Sequence, residues 1–419
     1  MIPRIAADVI LVLAALPLIY NLLALWSSRQ FFGRRSSRRG EPGSPSVIPT
    51  GVRRPDLANG AGPHAPLESA FLPPVSILKP VRGLDPEAYE NFASFCRQDY
   101  PDYEILFCVA TGDNRVGQVL ERLLNDFQAR RIRVISQDAS GAPNDKVAKL
   151  IRLTAEASHE IVVISDSDVR VLPDYLRNVV APLADPRVGA VTCLYAAIEE
   201  KSLADRLQTV GMISDFYPGL LVARALDGVK FALGQTIAAR RSLLDEFGGY
   251  TALQDRPADD LLVGRLMAKQ GYRVELLPYT IFVVADYRSL GDLWAKRLRW
   301  LTVMRHMRPW GHLGLVFTEA LPWSLLAVAA RPTAWTALAF LGAYAVLRIA
   351  VAWEIGVRGL EQHAVMQKLP LIPLWDILAF FLWLASFFQR RLRWRDGEFR
   401  IRRGKLVAPS ALAARPPQP

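Results

Sequence analysis

The chain alternates between two textures. Residues 5–26 (IAADVILVLAALPLIYNLLALW) form a 22-residue apolar run broken only by Asp8, Pro17 and Asn21. At helical rise that is long enough to span a bilayer. Its positive charges follow the run instead of preceding it, and the run is long for a signal peptide, so it predicts an uncleaved anchor. Beyond residue 72 short β-branched runs appear: VSILKP, YEILFCVA, RIRVISQ, EIVVISDSD and VGAVTCLYA. Helical periods separate several of them, as in 144–158 and 172–184. Strand alternating with helix predicts a mainly parallel α/β sheet. The block reaches about residue 300 and is large enough to bury a full core. The chain then turns apolar again. Residues 334–357 and 370–389 have spanning length, whereas 313–330 carries Glu319 and Pro322 in its middle. The organisation expected is an anchor (1–28), a flexible basic linker rich in Gly, Pro, Ser and Arg (29–72), a catalytic α/β domain (73–300), interfacial and transmembrane helices (301–389) and a basic cytoplasmic tail (390–419).

Charge changes this picture in one respect. The 419 residues carry a formal net charge of +11. Residues 34–54 contribute +5 and residues 390–405 contribute +6, so two strips hold the whole excess. Each follows an apolar run, as Lys and Arg do on the cytoplasmic side of a membrane. A nucleic-acid binder spreads its basic residues over a folded face, so no nucleic-acid partner is expected. With a cytoplasmic α/β block, an even number of crossings after residue 300 returns the basic tail to the cytoplasm, which favours 301–330 as interfacial or re-entrant. Four complete spans is the alternative. The three cysteines, Cys96, Cys108 and Cys193, form no C-x-x-C, which argues against a disulfide framework or a zinc site and for a reducing compartment.

In an open α/β sheet, ligands bind beyond the carboxyl ends of the strands. Thr111-Gly112-Asp113 follows one strand, and Asp166-Ser167-Asp168 follows another. Two carboxylates separated by one residue suit Mg²⁺ or Mn²⁺ shared with a substrate phosphate. Asp and Ser are also ordinary turn residues at strand ends, so the pair alone decides nothing. Asp259-Asp260 opens a helical pattern that ends at Gly271. Those acids serve equally as an N-terminal cap or as a general base held at a helix N-terminus. Lys296-Arg297-Leu298-Arg299-Trp300 reads either as a basic run at a membrane surface or as a clamp for a leaving diphosphate beside a stacking indole.

In this order and spacing the motifs resemble the processive and lipid-directed glycosyltransferases of the GT-A fold, which carry three separated Asp motifs followed by (Q/R)-x-x-R-W. Lys79-Pro80-Val81-Arg82-Gly83-Leu84-Asp85-Pro86 looks like the K-P-L-K-G-x-D-P opening of ceramide glucosyltransferases. Gln98 to Glu104, Ser165 to Val171 and the tail Trp394 to Arg402 extend the likeness over roughly 73–403. The resemblance implies an α/β GT-A domain with an N-terminal transmembrane anchor and C-terminal transmembrane or interfacial helices. It implies a multi-pass membrane protein, its catalytic domain on the cytoplasmic face, moving a sugar from a UDP-sugar to a lipid hydroxyl with inversion; the Ala-, Arg- and Pro-rich composition fits a bacterial source and so the bacterial inner membrane. Carried over residue by residue, Asp260 is the base, and Arg299 and Trp300 close the (Q/R)-x-x-R-W motif. Lys79, Asp113, Lys146 and Asp166 bind the nucleotide sugar, and Asp166 with Asp168 holds Mg²⁺ or Mn²⁺. Lys296 departs from the Q/R position and loses a planar bidentate contact. Thr111 stands where relatives often have an Asp.

The resemblance leaves sugar and lipid open: glucose on ceramide, or N-acetylglucosamine in the manner of bacterial hopanoid-associated transferases. Two other classes compete. A non-catalytic nucleotide-sugar binder sits poorly with a complete set of acids. A chain-exporting polysaccharide synthase would need more spans than follow residue 300.

Overall fold

The computed structural model describes residues 3–38, 71–138, 143–394, 397–402 and 404–407. The expected linker therefore lies outside the described residues from 39 to 70, as do 395–396, 403 and 408–419 of the tail. The chain falls into two compact units: an apolar unit of residues 1–70, 206–226 and 314–381, and an α/β unit of residues 71–205, 227–313 and 382–419.

The α/β unit is built on eight strands: β1 (Val75–Pro80), β2 (Tyr103–Ala110), β3 (Arg131–Gln137), β4 (Ile161–Ile164), β5 (Val169–Arg170), β6 (Val188–Ile198), β7 (Ile237–Arg240) and β8 (Arg273–Val284). They lie in the order β3-β2-β1-β4-β7-β6-β8-β5. The half β3-β2-β1-β4 is parallel, with Val75 opposite both Tyr103 and Ile161. The sheet is more mixed than its strand–helix rhythm predicts, because β7 runs antiparallel to both β4 and β6, and β5 antiparallel to β8. Both faces are covered, which is why β1 is buried at every position. Ile77, Phe92, Phe95, Ile105 and Tyr175 pack one face. Leu78, Leu106, Val147, Ile164 and Met267 pack the other.

Four helices of this unit matter for the site: α1 (Asn114–Asp126), α2 (Asp145–Glu156), α3 (Asp259–Lys269) and α4 (Leu290–Met307). The residues expected as a tail form a second sheet, β9 (Leu392–Trp394), β10 (Gly397–Arg402) and β11 (Lys405–Val407), in the order β11-β10-β9. Leu392 and Leu406 pack with Val303, Met307, Phe399 and Ile401. The alternation in β10 puts Phe399 and Ile401 on α4 and leaves Arg400 and Arg402 exposed.

In the apolar unit the N-terminal helix runs from Arg4 to Arg38, ten residues into the stretch expected as linker. It continues because Phe31 and Phe32 are buried, Phe32 lying over Gly359, where a Cβ would come within 2.3 Å of the ring. Arg4–Gly33, Ala334–Gly359 and His363–Phe388 are each long and apolar enough to cross a membrane. Residues 309–330 form two pieces, Pro309–Thr318 and Ala320–Ala330, bent by 55° about Glu319. Among the described residues, three helices thus have the length and composition of a span, or four if the bent pair is one. Residues 206–226 join this unit although they lie inside the α/β block. A π-helical turn over Met212–Phe216 interrupts their helix, and Gly211 lies against Trp375 so closely that a Cβ would sit 2.2 Å from the indole. Arg348 is buried with Asp376, its Nε 3.1 Å from Oδ2, and donates to the Ser214 carbonyl. The Tyr344 hydroxyl donates to the same Asp376 oxygen at 2.9 Å.

Candidate functional site

The parallel half of the sheet sends the ends of β1, β2 and β4 to one edge. The reversal of β7 brings its beginning to that edge too, since Ile164 pairs with Ile237. Segments far apart in the chain therefore meet there: Gly112–Asp113 after β2, Asp166–Asp168 after β4 and Gly234–Thr236 before β7.

Their centre is Gly234. A Cβ on it would lie 3.0 Å from Asp260 Oδ2, 3.1 Å from Lys146 Nζ and 3.6 Å from Asp166 Oδ2. Each side chain is placed by local structure. Asn144 caps α2, its Oδ1 accepting from Val147 N–H at 3.4 Å, while its Nδ2 donates to the Arg256 carbonyl at 3.0 Å and to Asp259 Oδ1 at 3.4 Å. Lys146 is thereby fixed in the first turn of α2. Its Nζ lies 2.6 Å from Asp166 Oδ1 and 3.9 Å from Asp259 Oδ2. The three surrounding carboxylates outweigh desolvation and hold its ammonium charged well above the ordinary lysine range.

Asp260 sits in the first turn of α3. Leu261 N–H donates to its Oδ1 at 2.8 Å and Gly234 N–H to its Oδ2 at 3.0 Å. Burial, reinforced by Asp259, raises its pKa to about 6 against the opposing pull of Lys146 and the Leu261 N–H. Gly264, four residues and about one turn on from Asp260, lets α3 approach the segment leading to Gly234. A Cβ there would sit 2.2 Å from the Phe231 carbonyl carbon.

Asp168 is raised to about 7 by burial and by the neighbouring Asp166 and Asp85 carboxylates. Its Oδ1 is shielded from solvent and has no hydrogen-bond partner among the described residues. Asp166 offers a second carboxylate two residues away. No group of three or more His, Cys, Asp or Glu gathers around a metal position among the described residues. The arrangement fits a hard cation held by two protein carboxylates that keeps other positions for water and phosphate oxygens, as Mg²⁺ commonly does.

The other expected residues divide. Asp113 caps α1, its Oδ1 accepting from Val116 N–H at 3.3 Å, which leaves Oδ2 for a ligand. Lys79, expected on the nucleotide sugar, is wholly buried because β1 is a central strand. Its Nζ donates to the Asp166 carbonyl at 2.5 Å and to Ser165 Oγ at 3.4 Å, and lies 3.8 Å from the centre of the Phe95 ring. It therefore braces the Asp166–Asp168 turn from behind. Desolvation lowers its pKa to about 7, against the three nearby acids.

On α4, Lys296 turns to Asp286 O (2.6 Å) and Asp292 (2.9 Å) and over the Tyr287 ring. Arg297 is buried, and Trp300 is 40% exposed. Arg297, Arg299 and Asp168 all act electrostatically on Tyr287, and Arg297, Asp168 and Asp260 all act on Tyr195. The middle of α4 thus shares a field with the acids.

Sequence reasoning missed Gly234, Gly264, Tyr195 and Tyr287, and gave Asp259 and Arg297 no role separate from their neighbours. Only Gly264 carried a local signal, as a glycine inside an amphipathic helix. The role of Gly234 follows from the reversal of β7, which no short motif encodes.

Residues 9–407 match the family model described as Glycosyl transferase family 21. The chain is 23% identical over 254 residues to Ceramide glucosyltransferase 3 of Caenorhabditis elegans, covering 60% of this chain and 55% of that protein. It is 24% identical over 234 residues to a beta-monoglucosyldiacylglycerol synthase of Trichormus variabilis, covering 55% and 48%. The chain so spans about half the length of the curated relatives it matches. Among solved structures, a mannosyltransferase from Pyrobaculum calidifontis in complex with GDP-Man and Mn²⁺ aligns with a TM-score of 0.51 at 22% identity, over 87% of this chain and 99% of that one. That likeness is one of fold.

Proposed function

The chain belongs to glycosyl transferase family 21, and from that membership we propose that it is an inverting transferase moving a sugar from a UDP-sugar to the hydroxyl of a membrane lipid. The observation that carries the reading is the meeting of Asp166, Lys146 and Asp260 around Gly234. A cationic centre for a diphosphate and a carboxylate poised as base lie within one sugar's reach of each other.

Asp260, largely ionised above pH 6, accepts the proton of the lipid hydroxyl as that oxygen attacks the anomeric carbon. The two backbone N–H groups on its oxygens fix the carboxylate while it works. Attack on the face opposite the leaving UDP inverts the configuration. Lys146 and Arg299 carry the positive charge that meets the departing diphosphate. Mg²⁺ or Mn²⁺, held by Asp166 and Asp168, would add charge neutralisation at the same group. Asp113 keeps one oxygen for the nucleoside, and exposed Trp300 offers a flat apolar surface to the acceptor.

The packing of β9–β11 on α4 supports a topology in which the chain returns after 381 to the face it left at 313. Two crossings, Ala334–Gly359 and His363–Phe388, with a re-entrant bent pair before them, achieve this. The two basic strips, by the positive-inside tendency, support a cytoplasmic location for that face. The names of the relatives favour glucose as the sugar and a lipid with a free hydroxyl, such as ceramide or diacylglycerol, as the acceptor.

The test is purified protein in lipid nanodiscs with UDP-glucose or UDP-N-acetylglucosamine, offered ceramide, diacylglycerol or a hopanoid polyol, with products read by mass spectrometry. Asp260→Asn is expected to lower transfer by at least a thousandfold with UDP binding nearly intact. Turnover by that variant at the parent rate refutes the base assignment.

A further inference from the structure

A cavity of about 430 Å³ lies in the α/β unit on the outer side of α3. Two arginines and a histidine line it, Arg256, Arg265 and His306, with no Asp or Glu among the described residues of its walls. Its apolar half includes Phe247, Leu262 and Met307. We propose that this cavity is a second ligand site, separate from the acid cluster, that takes the phosphodiester headgroup of an anionic lipid with the first part of its apolar arm.

The donors are available. Arg265 makes no hydrogen bond or ion pair among the described residues, so its planar fork is uncommitted. Arg256 donates one Nη to the Gly404 carbonyl at 3.1 Å, which anchors it and leaves its other nitrogens. The adjacent acid, Asp255, is drawn away by Lys405 Nζ at 2.7 Å and lies 3.8 Å from Arg256 Nε. His306 Nδ1 is 2.8 Å from the Thr302 carbonyl. A carbonyl only accepts, so Nδ1 carries a proton, and Nε2 becomes a donor toward an anion when the ring carries its second proton.

An inorganic anion would satisfy the two arginines and have no use for the apolar half. A lipid uses both. The position along the chain agrees, since His306 and Met307 end α4 and Pro309 opens the first apolar pair. The exposed Arg400 and Arg402 on β10 add positive charge beside the Gly404 wall. Arg265 lies five residues from Asp260, about 140° round the same helix. A ligand here therefore bears on the helix that carries the base without entering the active site.

The test uses the full chain in neutral detergent and dioctanoyl-phosphatidylglycerol, with binding measured by calorimetry. Saturable one-site binding is expected. Arg265→Gln should weaken it at least tenfold, Arg265→Lys less so, and His306→Ala should weaken it from a different element. Dioctanoyl-phosphatidylcholine should show no saturable binding, and inorganic phosphate should bind at least tenfold more weakly. Three results overturn the proposal: unchanged binding in Arg265→Gln and His306→Ala, equal binding of the zwitterionic lipid, or equal binding of phosphate alone, which would make this a free-anion site. No sugar transfer is read, so the outcome stands apart from the proposed activity.

Discussion

Replacing Lys146 by Met keeps the length of the side chain and removes the charge from the middle of the acid cluster. A Cβ at Gly234 would lie 3.1 Å from Lys146 Nζ and 3.0 Å from Asp260 Oδ2, so these two atoms are no more than about 6 Å apart. At an effective dielectric of about 20, unit charges at that separation interact by roughly 2.7 kcal/mol, about two pKa units. Lys146 is 28% exposed, and water reduces the effect to roughly one unit. Lys146 lowers the pKa of Asp260, so its loss raises that pKa from about 6 toward about 7. The base is active when ionised, so the acid limb of kcat/KM against pH should move upward by about one unit, whatever happens to the absolute rate. The assay is kcat/KM for transfer from pH 5 to 9 at fixed divalent ion. A limb displaced by less than ~0.3 units would show that Lys146 does not act on the base. Melting gives an independent reading. Without the cation, ionised Asp166, Asp259 and Asp260 repel, so the variant should lose stability against the parent increasingly as pH rises through Asp260's range, by about 3 kcal/mol at pH 8.

Asp166→Ala should abolish tight Mn²⁺-dependent UDP binding, measured by calorimetry with and without the ion; retained metal dependence contradicts its role. Gly264→Ala drives a methyl into the backbone of Phe231 and should cost about 3 kcal/mol in unfolding free energy, seen in denaturant melts. Asp376→Asn leaves buried Arg348 without its counter-charge and should lower the melting temperature of detergent-solubilised protein far more than the Arg348→Met/Asp376→Leu double replacement does, because breaking a buried pair costs more than removing it.

Much of the α/β unit was legible because its strands announce themselves. VSILKP, YEILFCVA and RIRVISQ are short, β-branched and bounded by turn residues, and each became a strand at its expected limits, while EIVVISDSD kept only Ile161–Ile164 as strand. The turn acids were legible for the same reason, as residues following those runs. The direction of β7 was not, because IAAR is too short to carry a period and a strand reads the same whichever way it runs. With it went Gly234 and the link between Asp166 and Asp260. The facing of Lys79 was not legible either, because a motif gives sequence neighbours and no facing. Only the burial of β1 on both sides turns that side chain inward. The folding of the tail into β9–β11 was hidden behind its charge: the seven arginines of residues 390–405 dominate the composition, while the alternation of Phe399 and Ile401 spans too few residues to stand out.

The chain passes from the α/β unit into the apolar unit at 206, returns at 227, leaves again at 314 and comes back at 382. During synthesis, residues 206–226 emerge long before Trp375, the ring against which Gly211 packs, and β6 emerges before the β7 strand it must pair across that excursion. Neither unit holds all its parts until the ribosome is nearly finished. A fragment ended after α4 would expose an apolar helix with no partner and strip α4 of its β9–β11 cover. The protein is therefore expected to resist division into a soluble enzyme and a detachable anchor, and to be produced whole or not at all.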